Sequence, residues 1–366
     1  MKFTSNRDTL LKPLQQIIGA VERRQTLPAL GNILLRTTET GLTLTATDLE
    51  VELVATVDNE IITQGEITLP ARKFLDIIRA LPENAVLDFE LDNEKIHIKS
   101  GRSKFILATL PAAEFPVLDD FKGSSAFSVK EEDFKKLIEK TGFAMAQQDV
   151  RYYLNGLMIE LDDNKVRAIA TDGHRLAICA VEANISSETG QQVIVPRKGI
   201  LELARLLVST DNSISIELSA NHIRVNLDGI RFTSKLIDGR FPEYKRVMPA
   251  DADKLVTINR DVLKQALTRA SILSNEKYRG IRLQFSTGNL SMQANNPDQE
   301  EAEEEIEITY DNQDVEIGFN VNYLLDVLSV TEGDEIKINL KDGNSSALIE
   351  DSTKTTGQYV IMPMRL

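Results

Sequence analysis

The sequence predicts an α+β protein of three homologous domains, each with two helices packed on antiparallel sheets. Three observations lead there. A set of phrases recurs three times, helical apolar spacing appears twice in each repeat, and the strand-like runs are joined by gaps too short for parallel crossovers. A chain of 366 residues can bury a core for that many domains without disulfides or metals.

Four phrases carry the repeat, in constant order. LTATDLE (44–50), AIATDGH (168–174) and MQANNPD (292–298) set Asp48, Asp172 and Asn296 at intervals of 124 residues. Upstream lie FTSNRDTLLKPL from Phe3, FSVKEEDFKKLI from Phe127 and VTINRDVLKQAL from Val256. Each brings an apolar residue seven positions on, at Leu10, Phe134 and Leu263. Downstream, LPARKFLDIIRAL from Leu69 matches VPRKGILELARLL from Val195, and GFNVNYLLDVL from Gly318 is a weaker copy without the basic pair. EFPVL, RFPEY and YVIMP close the units. The domains are expected at 1–124, 125–252 and 253–366, with the polar stretches DDFKGSS and MPADADK at the boundaries.

Within the first repeat a short strand at Phe3 leads into a helix over 7–24. Leu10, Leu14, Ile17, Ile18 and Val21 share its apolar face, Asn6 or Asp8 can cap it, and Pro13 is placed to kink it or delay its start. The runs NILLRTT, GLTLTAT and VELVATV read as strands, 71–81 as a second helix, and AVLDFEL, KIHIKSG and SKFILATL as strands again. The same order puts the remaining helices over 130–142, 196–209, 260–275 and 320–329.

The net charge is −14, yet the predicted helices are net basic, so the acid lies in strands and loops. An acidic total argues against a polyanionic partner. Segregated base argues for one, because phosphate contacts need Lys and Arg on the right surface and not a basic sum. Ordinary solvated helix faces remain the competing reading. Residues 95–104 are basic without acid, and residues 298–311 are acidic without base. Opposite charge near opposite ends suits head-to-tail pairing of two chains, with Phe105 and Leu107 meeting Ile272 and Leu273. An edge strand guarded against aggregation explains the acid run equally.

Little points to catalysis. The chain has one cysteine, Cys179, read as a buried core thiol, and three histidines, His97, His174 and His222. His97 and His222 are expected at the surface or a strand edge. No catalytic residue, metal site or cofactor is expected, and no phosphate loop, dinucleotide fingerprint, zincin or nucleophile-elbow motif occurs. TDGHR (171–175) is the best local candidate for an enzyme acting on anionic substrates, but its counterpart TDLEV lacks the histidine, so it reads first as a turn. Arg151-Tyr152-Tyr153, after Gln147-Gln148, suits sugars, phosphates or single-stranded bases, or else simply starts a strand. The apolar end YVIMPMRL is a closing strand, a tail in a groove, or both. No signal-peptide core or 18-residue apolar run occurs, so a cytoplasmic setting is expected.

These phrases, with LPALGN, DVRYYLNG, TSKLIDGRFPEY, LSNEKYRG and ANNPDQEEAEE, resemble the bacterial sliding clamps along the whole chain. That family is the beta subunit of the replicative DNA polymerase III. The resemblance implies the DNA clamp fold: a head-to-tail homodimer forming a six-domain ring around double-stranded DNA, bound without sequence preference, with helices lining the hole. It implies a non-catalytic processivity factor for DNA replication, with no cofactor and no membrane. Its partners would be the polymerase III alpha subunit, a clamp loader, and other polymerases and repair proteins. DNA contacts would fall at Arg24, Lys73, Gln148, Tyr152, Tyr153 and Lys198. A peptide-binding groove between domains two and three would be lined by Leu154, Thr171, Gly173, His174, Arg175, Leu176, Pro242, Arg246, Val247, Tyr323, Ser346, Val360, Met362, Pro363, Met364 and Arg365. The dimer interface would set Lys73, Arg102, Lys104, Phe105 and Leu107 against Ile272, Leu273, Glu300, Glu303 and Glu304. Asn344 and Tyr278 depart from the residues usual in the family's groove, and Glu22-Arg23 adds charge beside Arg24.

Overall fold

The computed structural model describes residues 1–22, 27–39, 41–118, 121–185, 190–250, 252–351 and 357–365. Among them are six α-helices: α1 (Arg7–Ile17), α2 (Ala71–Ala80), α3 (Glu131–Thr141), α4 (Arg197–Leu206), α5 (Arg260–Ser271) and α6 (Val321–Val330). The strands of the four sheets pair antiparallel. The chain separates into two compact units, Met1–Glu132 with Asn184–Glu188 and Leu201–Leu236, and Asp133–Ala183 with Thr189–Ile200 and Ile237–Leu366.

The first unit holds two sheets. A five-stranded sheet runs in the order Glu60–Thr63, Lys2–Asn6, Val86–Asp92, Lys95–Ser100, Ser103–Ala108. A nine-stranded sheet runs Asn184–Ile185, Ser125–Lys130, Ser213–Leu218, His222–Leu227, Ile230–Lys235, then Val51–Val57, Gly41–Thr47, Asn32–Thr38, Gly65–Pro70. It joins five strands of the second repeat to four of the first, with Phe232 opposite Leu53 at the seam. Strand alternation builds the core: in Val86–Asp92, Leu87 and Phe89 face in while Val86, Asp88 and Glu90 face water. Phe89 stacks on Phe3 at 4.4 Å and receives the edge of Phe74 at 5.9 Å. Leu10, Leu14 and Ile17 of α1 are fully buried, each worth roughly 1.5–3 kcal/mol.

The second unit repeats the plan. Its eight-stranded sheet runs Gln192–Pro196, Gly156–Asp162, Lys165–Thr171, Arg175–Glu182, then Gly357–Ile361, Ala347–Asp351, Glu335–Leu340, Lys254–Asn259. The seam pairs Ala177 with Tyr359. A four-stranded sheet runs Glu301–Glu307, Asn289–Asn295, Gly280–Ser286, Val315–Asn320. At both seams the strand that follows the recurring Asp/Asn phrase pairs with the last strand of the next repeat.

The recurring phrases are recurring hydrogen bonds. Asp48 Oδ1 accepts from the N–H groups of Glu50 and Val51 at 2.9 and 2.8 Å, and Asp172 Oδ1 from those of His174 and Arg175 at 2.9 and 3.0 Å. Asn296 Oδ1 accepts from Asp298 and Glu300 at 3.0 and 3.1 Å, a turn one residue longer. The first residue of each leading helix donates its N–H to the carbonyl past the second helix: Arg7 to Ala85, Glu131 to Asn212, Arg260 to Asp334. After each last strand, Leu110, Ile237 and Met364 donate to Thr68, Ile194 and Gly318.

Three expectations are corrected. The first helix stops at Ile17 and continues as a 3-10 turn, Ile18–Ala20, instead of running to 24. Gly19, a poor helix former, sits in that turn against α4, where a Cβ would lie 2.0 Å from Glu202 Oε2. Pro13 sits inside α1 without ending it. Asn6 makes no cap bond, and Asp8 instead accepts from Arg7 at 2.6 Å and from the N–H of Asn84 at 2.8 Å. His222 is buried at the start of its strand, not at the surface.

Candidate peptide groove and subunit edges

The second unit carries an apolar cluster at its seam. Leu154, Leu176 and Val360 are buried in it with Ala146, Met158, Ile169, Ile194, Phe241 and Tyr244, and Val247 and Leu348 pack at its margin. The strands of the eight-stranded sheet deliver most of these residues, with Leu154 from the 3-10 turn Tyr152–Leu154, Tyr244 and Val247 from the 3-10 turn Tyr244–Val247, and Ala146 and Phe241 from loops. Arg175 ties the margin together. Its guanidinium lies over Tyr323 at 4.5 Å and Phe143 at 5.1 Å. It also donates to Asp172 at 3.1 Å, Asp326 at 2.5 Å and the Phe143 carbonyl at 2.8 Å. Exposed His174 stacks on Tyr323, ring centroids 6.4 Å apart, and its carbonyl accepts from the Met362 N–H at 2.9 Å. Thr171 Oγ1 donates to the Arg175 carbonyl and accepts from Gly173, whose φ of +87° suits glycine.

Ser346, Met362, Pro363 and Met364 are half-buried, and Pro242, Arg246 and Arg365 are exposed. Met364 and Arg365 border a cleft of about 280 Å³ with Asn275, Tyr278, Gly280 and Asn295. Phe143, Met158, Phe241, Tyr244 and Asp326 belong to the arrangement and were not anticipated. Of RFPEY (240–244) the sequence points only to Pro242, although its two aromatics, Phe241 and Tyr244, are a usable signal in so short a phrase.

Repeat geometry explains why the apolar surface occurs at this seam. At the first seam the counterparts of Ala146, Ile169, Leu176, Ile194 and Val360 are Glu22, Thr45, Glu52, Thr68 and Thr233, by matching strand partners and turn bonds. In the third repeat the counterparts of Ile169 and Leu176 are Gln293 and Glu301. The same backbone there presents polar groups that repel an apolar side chain.

TDGHR is a turn. The Asp172 carboxylate is taken up by two N–H groups and Arg175, and the same Asp/Asn turn stands in the other repeats without a histidine. Burial pushes the Cys179 thiol up to about 11, as befits a core residue. Among the described residues, no group of three or more His, Cys, Asp or Glu is arranged to hold a metal. No described helix is long and apolar enough to cross a membrane.

The anticipated DNA contacts occupy several places. Lys73 on α2 and Lys198 on α4 are exposed. Gln148 is exposed at φ +56°, and Tyr152, 57% exposed, stands edge-on to Tyr153 at 5.8 Å. The loop is stiffened by Arg151, which donates to Asp149 at 2.8 Å and holds its carboxyl down to about 2. Arg24 lies outside the described residues.

The anticipated interface residues fall on two sheet edges. Ser103–Ala108 ends the five-stranded sheet, with Lys104 exposed and Phe105 and Leu107 half-buried; Arg102 is exposed in the turn before it. Glu301–Glu307 ends the four-stranded sheet, with Glu301, Glu303, Glu305 and Glu307 exposed at alternate positions. Glu304 already has a partner in its own chain, accepting two 2.7 Å bonds from Arg269. Glu300 accepts from Asn296 at 2.6 Å. Ile272, just past α5, is 73% exposed, and Leu273 is half-buried.

Three family descriptions match in sequence: DNA polymerase III beta subunit, N-terminal domain over residues 1–119, central domain over 128–243 and C-terminal domain over 245–365. The beta sliding clamp of Pseudomonas putida is 54% identical over 367 residues, covering all of both chains. The crystal structure of the DNA polymerase III subunit beta from Pseudomonas aeruginosa is 53% identical, covers all of both chains and superposes with a TM-score of 0.98. A sliding clamp from the same organism bound to griselimycin gives 0.97 at 53% identity, again over all of both chains. With its three domains of helices and antiparallel sheets, the chain belongs to the family of DNA polymerase III beta subunits.

Proposed function

We propose that this chain is a DNA sliding clamp: two copies close head to tail into a ring around duplex DNA and hold replication and repair proteins on it. One observation carries the reading. The nine-stranded sheet is five strands of one repeat joined to four of another, and the chain also owns a five-stranded and a four-stranded sheet of those same two kinds, each ending on the unjoined edge. Joining Ser103–Ala108 of one copy to Glu301–Glu307 of another rebuilds the pattern of the existing seam. Phe105 stands where Phe232 stands, and Glu301 where Glu52 stands. The register that follows sets Phe105 opposite Ala302 and Lys104 opposite Glu303, a cross-strand ion pair. Lys73 and Arg102 add base to one side, Glu300 and Glu304 acid to the other, and Ile272 and Leu273 supply apolar contact.

The exposed bases of the helices, Lys73 and Lys198 among them, would face the duplex with Arg24, Gln148, Tyr152 and Tyr153. Phosphate contacts alone let a ring slide, whereas base-edge readout would stop it. The apolar seam, with Leu154, Leu176, Val247 and Val360 at its floor and His174, Met362 and Met364 at its lip, would take short peptides of the polymerase III alpha subunit, the clamp loader and repair proteins. The function is non-catalytic and its setting cytoplasmic. Loading onto a nicked circular plasmid, followed by linearisation, tests it. Protein should stay on the circle and leave the linear form in salt that abolishes simple phosphate binding. Equal loss from both would overturn encirclement.

A further inference from the structure

We propose that Glu160 is a positioning residue for the peptide groove, acting through Tyr244. Tyr244 opens the 3-10 turn Tyr244–Val247, which carries Val247 to the margin of the apolar cluster. That turn follows the last strand of its domain and enters no sheet, so side chains must fix it. Tyr244 is only 7% exposed, and its hydroxyl donates to Glu160 Oε2 at 2.8 Å. The carboxylate is itself pinned: Arg167 Nη1 donates to the same oxygen at 3.1 Å, and Gln192 Nε2 to Oε1 at 2.7 Å. Asp162 holds Arg167 from the other side. Glu160 lies in the strand Gly156–Asp162, so the knot ties a turn outside the sheets to a strand within one.

The repeats supply a control. The first-domain counterparts of Glu160, Gln192 and Tyr244 are Arg36, Glu66 and Leu118. There Arg36 and Glu66 form an exposed pair at 2.8 Å, and the leucine offers no hydroxyl to it. The closed knot therefore stands in the one of these two domains whose following turn borders the apolar seam. Core stability alone does not account for the difference, since the first domain folds on the same plan without it.

The inference rests on the peptide-groove reading. The test titrates a fluorescein-labelled clamp-binding peptide of the polymerase III alpha subunit into wild type, Glu160→Ala, Glu160→Gln and Tyr244→Phe, with thermal midpoint and solution mass measured alongside. Glu160→Ala and Tyr244→Phe should each weaken the peptide about three- to tenfold, the size expected from losing one charge-assisted hydrogen bond, at unchanged dimer mass. Glu160→Gln should restore binding, because an amide oxygen still accepts from the phenol and Gln192 can turn its own oxygen to the new amide. Wild-type affinity in Tyr244→Phe, or a lowered midpoint with unaltered affinity, overturns the positioning role while leaving the groove standing. Absence of peptide binding by the wild type overturns both.

Discussion

The ammonium group of Lys140 lies 3.7 Å from the carboxylate of Asp351, and both side chains are hidden from solvent. Lys140 comes from α3, Asp351 ends a strand of the third repeat, and Glu332 adds a carboxylate 3.6 Å from the same amine. Removing one partner of a buried pair strands the other charge, so Lys140→Met should cost about 3 kcal/mol, and Lys140→Met with Asp351→Leu should recover most of it. Burial raises the Asp351 carboxyl above its ordinary 3.8. A raised carboxyl favours the fold fully below its unfolded pKa and loses that contribution as pH rises through the folded one. The single variant should therefore be most deficient at neutral pH and partly recover on acidification toward pH 4, which denaturant melts across pH will show.

The same phrase, Asn-Arg-Asp, opens α1 and α5, but the two asparagines do different work. Asn259 accepts from the Val262 N–H at 3.0 Å, whereas Asn6 makes no cap bond. Asn259→Ala should cost about 1 kcal/mol and Asn6→Ala much less. Chemical denaturation of the two variants checks the contrast.

Ile272→Asp with Leu273→Asp should leave the fold intact, since Ile272 is 73% exposed, and should abolish the dimer at micromolar concentration. Sedimentation velocity would show a single species near 41 kDa. A persisting dimer would move the interface elsewhere.

Deleting Met364 through Leu366 removes the bond from the Met364 N–H to the Gly318 carbonyl, 2.8 Å long, and part of the proposed lip of the groove. Peptide affinity should fall at least tenfold while solution mass is unchanged. Fluorescence anisotropy with the labelled alpha-subunit peptide measures it.

Much of the fold is legible because it is written three times. The Asp48, Asp172 and Asn296 phrases, the paired helices and the charged edges all have local signatures, and Cys179 reads as a core thiol from its apolar neighbours. What escapes the sequence depends on contacts between distant segments. Lys140 counts as one more solvated base until the strand ending at Asp351 covers it. Glu160 and Tyr244 are 84 residues apart and carry no shared motif. Glu304 looks available for a second subunit until Arg269 is found beside it. The close approach of Glu202 to Gly19 comes from another repeat and leaves no mark in the local sequence.

In the proposed ring, the alternating carboxylates of Glu301, Glu303, Glu305 and Glu307 would also guard against wrong assembly. Two such borders brought side by side would repel, as would two lysine-bearing ones, so like ends refuse each other. Since the other two seams are held within one continuous chain, a hoop of two copies could be unfastened only at its paired clasps, where salt and competing charge have their greatest leverage.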